Sequence, residues 1–102
     1  MAMVFNEKNF KSEVLESDVP VMVDFWATWC MPCRMLGQVI EEIAAESEGA
    51  YKVGKVHVDE NPGLASSYCV MNIPTVLVFK NGKVAEKSVG VVPKSQLVNL
   101  LK

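Results

Sequence analysis

The run VPVMVDFWA, residues 19–27, is apolar on both alternating faces. That pattern predicts a central strand covered by helices on both sides. The period then changes. From about Met31 to Ser47, the residues Met35, Leu36, Val39, Ile40 and Ile43 recur at helical spacing, while Glu41, Glu42, Glu46 and Glu48 lie off the stripe. The spacing predicts an amphipathic helix with Gly49 as its C-terminal cap. Upstream, MVF at 3–5 reads as a short strand, and Asn6 as the N-cap of a helix carrying Phe10, Val14 and Leu15. Downstream, YKVGKVHVD at 51–59 reads as a strand, and Asn61-Pro62 opens a short helix reaching about Tyr68. TVLVFKNGKVAEKSVG is two strands joined by Asn81-Gly82, a strong hairpin signal. Pro93 opens a last helix with Leu97, Leu100 and Leu101 on its buried side.

The resulting order, β-α-β-α-β-α-β-β-α, predicts an α/β fold. Right-handed crossovers make the first three strands parallel, and the C-terminal hairpin adds an antiparallel strand at the edge. Four helices flank this mixed five-stranded sheet. No repeat, linker or low-complexity tract divides the 102 residues, so residues 1–102 are expected to form one domain.

Composition narrows the function. Half of the residues are hydrophobic, 22% are charged and the net charge is −2, an ordinary globular balance with no basic footprint for nucleic acid. No apolar run approaches the length of a membrane span. The stretch MAMVFNEKNF lacks the basic flank and apolar segment of a secretory signal. There are three cysteines, Cys30, Cys33 and Cys69. An odd, low count without a signal points to a reducing, cytoplasmic compartment, where a CxxC pair is catalytic or metal-binding.

Cys30 falls where the central strand ends and the long helix begins. Unpaired N–H groups and the helix dipole favour a thiolate there, and the thiolate is the attacking species. Cys33 lies one turn on, on the same face. The expected division of labour is attack by Cys30 on a substrate disulfide and resolution of the mixed disulfide by Cys33. As a staple the pair is weak, because closing so short a loop stabilises by only roughly 2 kcal/mol. Helical residues three apart also hold their Cβ atoms about 5–6 Å from each other, whereas a disulfide prefers roughly 3.5–4.5 Å. Local adjustment is therefore needed.

Two other residues stand out. A carboxylate at Asp24, inside a strand buried on both faces, should have a raised pKa, making it a candidate acid/base for the Cys33 proton. A structural Asp bonded to backbone near the sheet end is the alternative. Cys30, Cys33, His57 and Cys69 also form a Cys₃His inventory suited to zinc. However, His57 and Cys69 lack knuckle spacing, and the apolar pattern is complete without a metal. His57 is read as a structural or surface residue, Cys69 as a small buried hydrophobe with a regulatory or dimer-forming thiol as the alternative, and Met22, Met35 and Met71 mostly as core or gap-filling residues.

The segments VDFWATWCMPC, KVHVDENP, IPTVLVFKNGK and VG at 89–90 resemble the thioredoxin family in order and spacing, over essentially the whole chain. The resemblance implies a thiol–disulfide oxidoreductase, a protein-disulfide reductase with a Cys30–Cys33 redox disulfide. It implies that Ile73-Pro74 is a cis-proline unit facing the cysteines, and that the residue before the proline offers backbone hydrogen bonds to an extended substrate segment. Asp24 matches the family's buried aspartate, often near a lysine matching Lys55. Lys55, Pro32 and Trp26 are then supporting residues, and Trp29, Met31, Pro32, Ile73, Pro74, Gly90 and Val91 map to the rim that contacts substrates.

No Gly-rich phosphate loop is present, so no cofactor is expected and electrons must arrive from a partner. The resemblance implies a flavoprotein thioredoxin reductase as donor, several disulfide-containing proteins as substrates, and a monomer without nucleic-acid or membrane partners.

The chain departs from the family at three points. Met31 replaces the usual glycine between the cysteines, which should shift the redox potential. Gly37-Gln38 stands where the family has a kinking proline, so the helix should be straighter or bend at the glycine. Asn72 precedes Ile73 where small residues are common. A disulfide oxidase or isomerase on the same fold is the second reading, and a non-enzymatic zinc module or scaffold the third. The missing signal peptide argues against the former, and intact Asp24, Cys30, Pro32, Cys33 and Pro74 against the latter.

Overall fold

The computed structural model describes residues 1–102. Five strands, β1 (Met3–Val4), β2 (Val21–Trp26), β3 (Lys52–His57), β4 (Thr75–Lys80) and β5 (Lys83–Val89), form one sheet in the order β1-β3-β2-β4-β5. β1, β3 and β2 are parallel, β4 runs antiparallel to β2, and β5 runs antiparallel to β4. Within the hairpin, it is the inner strand β4 that opposes the first three. Asn81 and Gly82 both take positive φ, 56° and 79°, as the two-residue turn demands.

Alternation along β2 explains the layers. Val21, Val23 and Phe25 point to one side and pack with Phe5, Phe10, Val14, Val56, Leu77 and Phe79. Met22 points to the other side, where it meets Leu36, Ile40 and Ile43 of α1 (Met31–Ala45) and Leu97 of α3 (Lys94–Leu100). α2 (Pro62–Ser67) lies over the first side with Leu64 and Tyr68. Both faces of β2 are thereby covered, as its apolar run predicts.

Local chemistry departs from the sequence pattern at several points. The segment after Asn6 is a wider turn, a π-helix over Lys11–Leu15 in which Glu16 N–H bonds the Lys11 carbonyl five residues back. Asn6 Oδ1 accepts from the N–H groups of Lys8 and Asn9 in the turn before this helix, but the helix itself has Phe10 at its N-cap and no side-chain cap. Asn61 precedes α2 as expected but does not cap it. Its side chain is used elsewhere, accepting from Glu7 N–H and donating to the His57 carbonyl. Glu7 supplies the cap instead, its Oε2 accepting from Gly63 N–H. Gly49 adopts φ +82°, but α1 ends at Ala45 with Glu46 as its C-cap, so the glycine serves the turn into β3. α1 runs unbroken through Gly37.

Three apolar assignments are corrected. Met22 is core, but Met35 is 62% exposed and Met71 is 89% exposed. The stripe of α1 is closed by Cys33, Leu36, Ile40 and Ile43, which leaves Met35 on the outer flank, four residues from Met31. Cys69 is exposed, not buried. The chain leaves α2 through a left-handed conformation at this residue, φ 55°, and turns toward solvent.

Candidate active site

β2 ends at Trp26, and a turn through Ala27–Trp29 delivers Cys30 to the start of α1. Cys30 is the N-cap, in an extended conformation with φ −95° and ψ 107°. Its amide donates to the Ala27 carbonyl at 3.2 Å, and its carbonyl accepts from Arg34 N–H at 3.2 Å. Pro32 removes one N–H from the first turn. The next N–H, that of Cys33, donates to Cys30 Sγ at 3.2 Å. This is the N-cap arrangement with sulfur in the place of the usual side-chain oxygen, and it presents an N–H and the positive helix end to any charge on that sulfur.

Cys30 and Cys33 are joined as a disulfide, their Cα atoms 5.2 Å apart, within the range such a bond needs. The adjustment anticipated from helical spacing is made by Cys30 itself, which sits outside the helix. Both cysteines are buried, packed with Ala27 against Trp26, Val58 and Ile73.

The loop before β4 closes over the pair. The Ile73–Pro74 bond is cis, and the Ile73 carbonyl oxygen lies 3.9 Å from Cys30 Sγ. Ile73 N–H bonds nothing within the chain, so its backbone is free to pair with an extended segment. Pro74 is buried, and its carbonyl accepts from Gly90 N–H at 2.8 Å, tying the end of β5 to this loop. Trp29 and Met31, which flank Cys30 in the chain, are 69% and 64% exposed, and Val91, next to Gly90, is 49% exposed. Met35 and Met71, read from the sequence as core, are exposed as well.

Asp24 is fully buried and neither carboxylate oxygen has a hydrogen-bond partner. The alternative of a backbone-bonded Asp is thereby corrected. Asp24 lies on the same face of β2 as Met22, the face covered by α1, and its register partner on β3 is Lys55. Burial pushes the Asp24 carboxyl up to about 7, while the Lys55 ammonium pulls it the other way. Lys55 Nζ sits 4.4 Å from the centre of the Trp26 ring, a cation–π placement. It also lies 3.4 Å from where a Cβ at Gly37 would stand, so the glycine leaves it room beside α1.

His57 does more than its place in a strand indicated. Its Nε2 is 2.9 Å from Thr28 Oγ1, and its ring meets Trp26 edge-on at 4.9 Å. Nearby, Trp29 Nε1–H donates to Asp59 at 2.8 Å. No three His, Cys, Asp or Glu side chains gather where they could hold a metal ion. No helix is long and apolar enough to cross a membrane.

The family model described as Thioredoxin matches residues 1–102. The chain is 54% identical over 95 residues to Thioredoxin 1 of Nostoc sp., covering 93% of this chain and 89% of that protein. It is 50% identical over 101 residues to Thioredoxin 1 of Synechococcus elongatus, covering 99% and 94%. It is also 50% identical over 98 residues to a thioredoxin of Rickettsia bellii, covering 96% and 93%. With a redox-active cysteine pair at the head of α1 and this likeness along its whole length, the chain belongs to the thioredoxin family and is a protein thiol–disulfide oxidoreductase.

Proposed function

We propose that the chain reduces protein disulfides with Cys30 as attacking thiol and Cys33 as resolving thiol. The observation that carries this reading is the Cys33 N–H directed at Cys30 Sγ from the first turn of α1. It favours the thiolate at Cys30 over that at Cys33, which is 1% exposed. The Cys30 thiolate attacks one substrate sulfur, forming a mixed disulfide and releasing the other substrate sulfur as a thiolate. The Cys33 thiolate then attacks Cys30 Sγ and releases the second substrate thiolate. Two electrons pass to the substrate, and the chain is left as the Cys30–Cys33 disulfide.

Asp24 accepts the Cys33 proton before resolution, a role suited to a carboxyl titrating near neutrality. Lys55 and Trp26 support it, and Pro32 keeps the first turn of α1 open toward the sulfur. Trp29, Met31, Ile73, Pro74, Gly90 and Val91 form the docking rim, with Ile73 offering its backbone to the substrate strand. The family works with thioredoxin reductase and disulfide substrates; for this chain a flavoprotein thioredoxin reductase returns the two electrons, in the cytoplasm, to a monomer.

Insulin reduction driven by dithiothreitol, with a redox titration, tests this function. Turnover with a single two-electron wave is expected. No turnover sinks the reading, and a strongly oxidising potential favours the disulfide oxidase.

Met31 stands largely in solvent, so most of its apolar bulk faces the partner rather than covering the sulfur. Met31→Gly is expected to raise KM for protein disulfides several-fold. It should also move the potential to less negative values by up to about 30 mV, as the thiolate loses an apolar neighbour. A titration and saturation curve matching the parent's would remove Met31 from the rim.

A further inference from the structure

Thr28 and Trp29, the two residues before Cys30, are both tied by side chain to the end of β3. Thr28 Oγ1 meets His57 Nε2 at 2.9 Å and Trp29 Nε1 meets Asp59 at 2.8 Å. The His57 end of these ties is firmly anchored. Its carbonyl accepts from Glu60 N–H, Asn61 N–H and Asn61 Nδ2, and Val58 N–H bonds the Trp26 carbonyl. Its ring is wedged edge-on against Trp26. Its Nδ1 is buried without a partner, so Thr28 is the only hydrogen-bonding partner of the imidazole. An unpaired N–H is costlier to bury than an unpaired lone pair. The tautomer with hydrogen on Nε2, donating to Thr28 Oγ1, is therefore favoured.

We propose that His57, the sole histidine, is a positioning residue for Cys30, holding residues 28–30 through Thr28 so that the sulfur stays at the head of α1. The physical need is plain. Cys30 lies outside the helix, and on its N-terminal side its backbone is fixed only by one turn hydrogen bond to Ala27, 3.2 Å. Without a brace, the turn samples placements in which Cys30 Sγ leaves the Cys33 N–H. Attack slows in proportion, because displacements of roughly 1 Å at a reacting atom already reduce rates strongly. Trp29 keeps its own bond to Asp59, so the rim that binds substrate stays in place and the loss falls on kcat.

The inference rests on Cys30 being the attacking thiol, which loss of activity in Cys30→Ser tests separately. The deciding experiment measures kcat and KM for insulin reduction in Thr28→Val, His57→Leu, their double variant and His57→Gln, with urea unfolding alongside. Thr28→Val and His57→Leu should each lower kcat about five-fold at unchanged KM, the size of one hydrogen bond. The double variant should be no slower than the slower single, since both remove the same tie. His57→Gln, whose amide can donate to Thr28, should recover most of the rate. Should His57→Leu fail to fold, Thr28→Val and His57→Gln still decide. Parent-like kcat in Thr28→Val, fully additive losses in the double variant, or no recovery in His57→Gln would each overturn the proposal and leave His57 as packing for Trp26.

Discussion

Between about pH 4 and pH 7 the parent chain is expected to lose stability that Asp24→Asn does not lose. The folded chain holds the Asp24 proton until about pH 7, whereas an unfolded carboxyl gives it up near 3.8. In that window the native state binds one more proton than the unfolded state, so rising pH favours unfolding. Below about pH 4 the group is neutral in both states and contributes nothing. Above pH 7 it is charged in both, and the native state carries the full burial penalty. A three-unit displacement corresponds to about 4 kcal/mol, a large share of a small domain's stability. Asparagine has nearly the same shape and no titration, so its stability should stay flat across the window. Urea unfolding at a series of pH values checks this. Parallel curves for parent and variant would show that Asp24 is not a buried, unpartnered carboxyl. The same substitution removes the proton acceptor proposed for Cys33, so resolution should slow while formation of the mixed disulfide does not.

Exchanging the two cysteines singly should give opposite outcomes, each of them nearly complete. Cys30→Ser removes the sulfur that the Cys33 N–H and the helix end stabilise, so insulin reduction should fall to background. Cys33→Ser leaves that sulfur able to attack but unable to be released, so mixed disulfides with substrates should accumulate. Peptide mapping should place them at Cys30. Cys69 is exposed as well, and adducts mapped mainly to Cys69 would assign the nucleophile to the wrong residue. Equal trapping by both variants would erase the division of labour.

The elements and their order were legible because the hydrophobic period changes sharply along this chain. The double-sided run at 19–27 required cover on both faces, and Asn81-Gly82 required a tight turn. The cysteine pair was legible for the same reason, since a strand-to-helix junction fixes where a helix end lies. Residues whose environment is built by distant segments were harder. Met35 and Met71 are as apolar as Met22, yet only Met22 is enclosed: α1 fills its buried stripe without Met35, and Met71 lies in the loop before β4. Cys69 looked like core until the left-handed exit from α2 turned it outward. Asn61 has the right chemistry and position for a cap, but Glu7, 54 positions before it in the sequence, bonds it and caps α2 in its stead.

The sequence by itself determined the strand and helix order, the apolar cover of β2, the placing of Cys30 at the head of α1, and the burial of Asp24. These follow from period and local composition, which act over a few residues. Only the tertiary structure decided that Asp24 has no hydrogen-bond partner, that Lys55 rests on Trp26 beside Gly37, that the Ile73 backbone faces the sulfur, and that His57 reaches Thr28. The last three join residues 18 to 43 positions apart, and no local pattern encodes which side chains meet, or fail to meet, across a folded sheet.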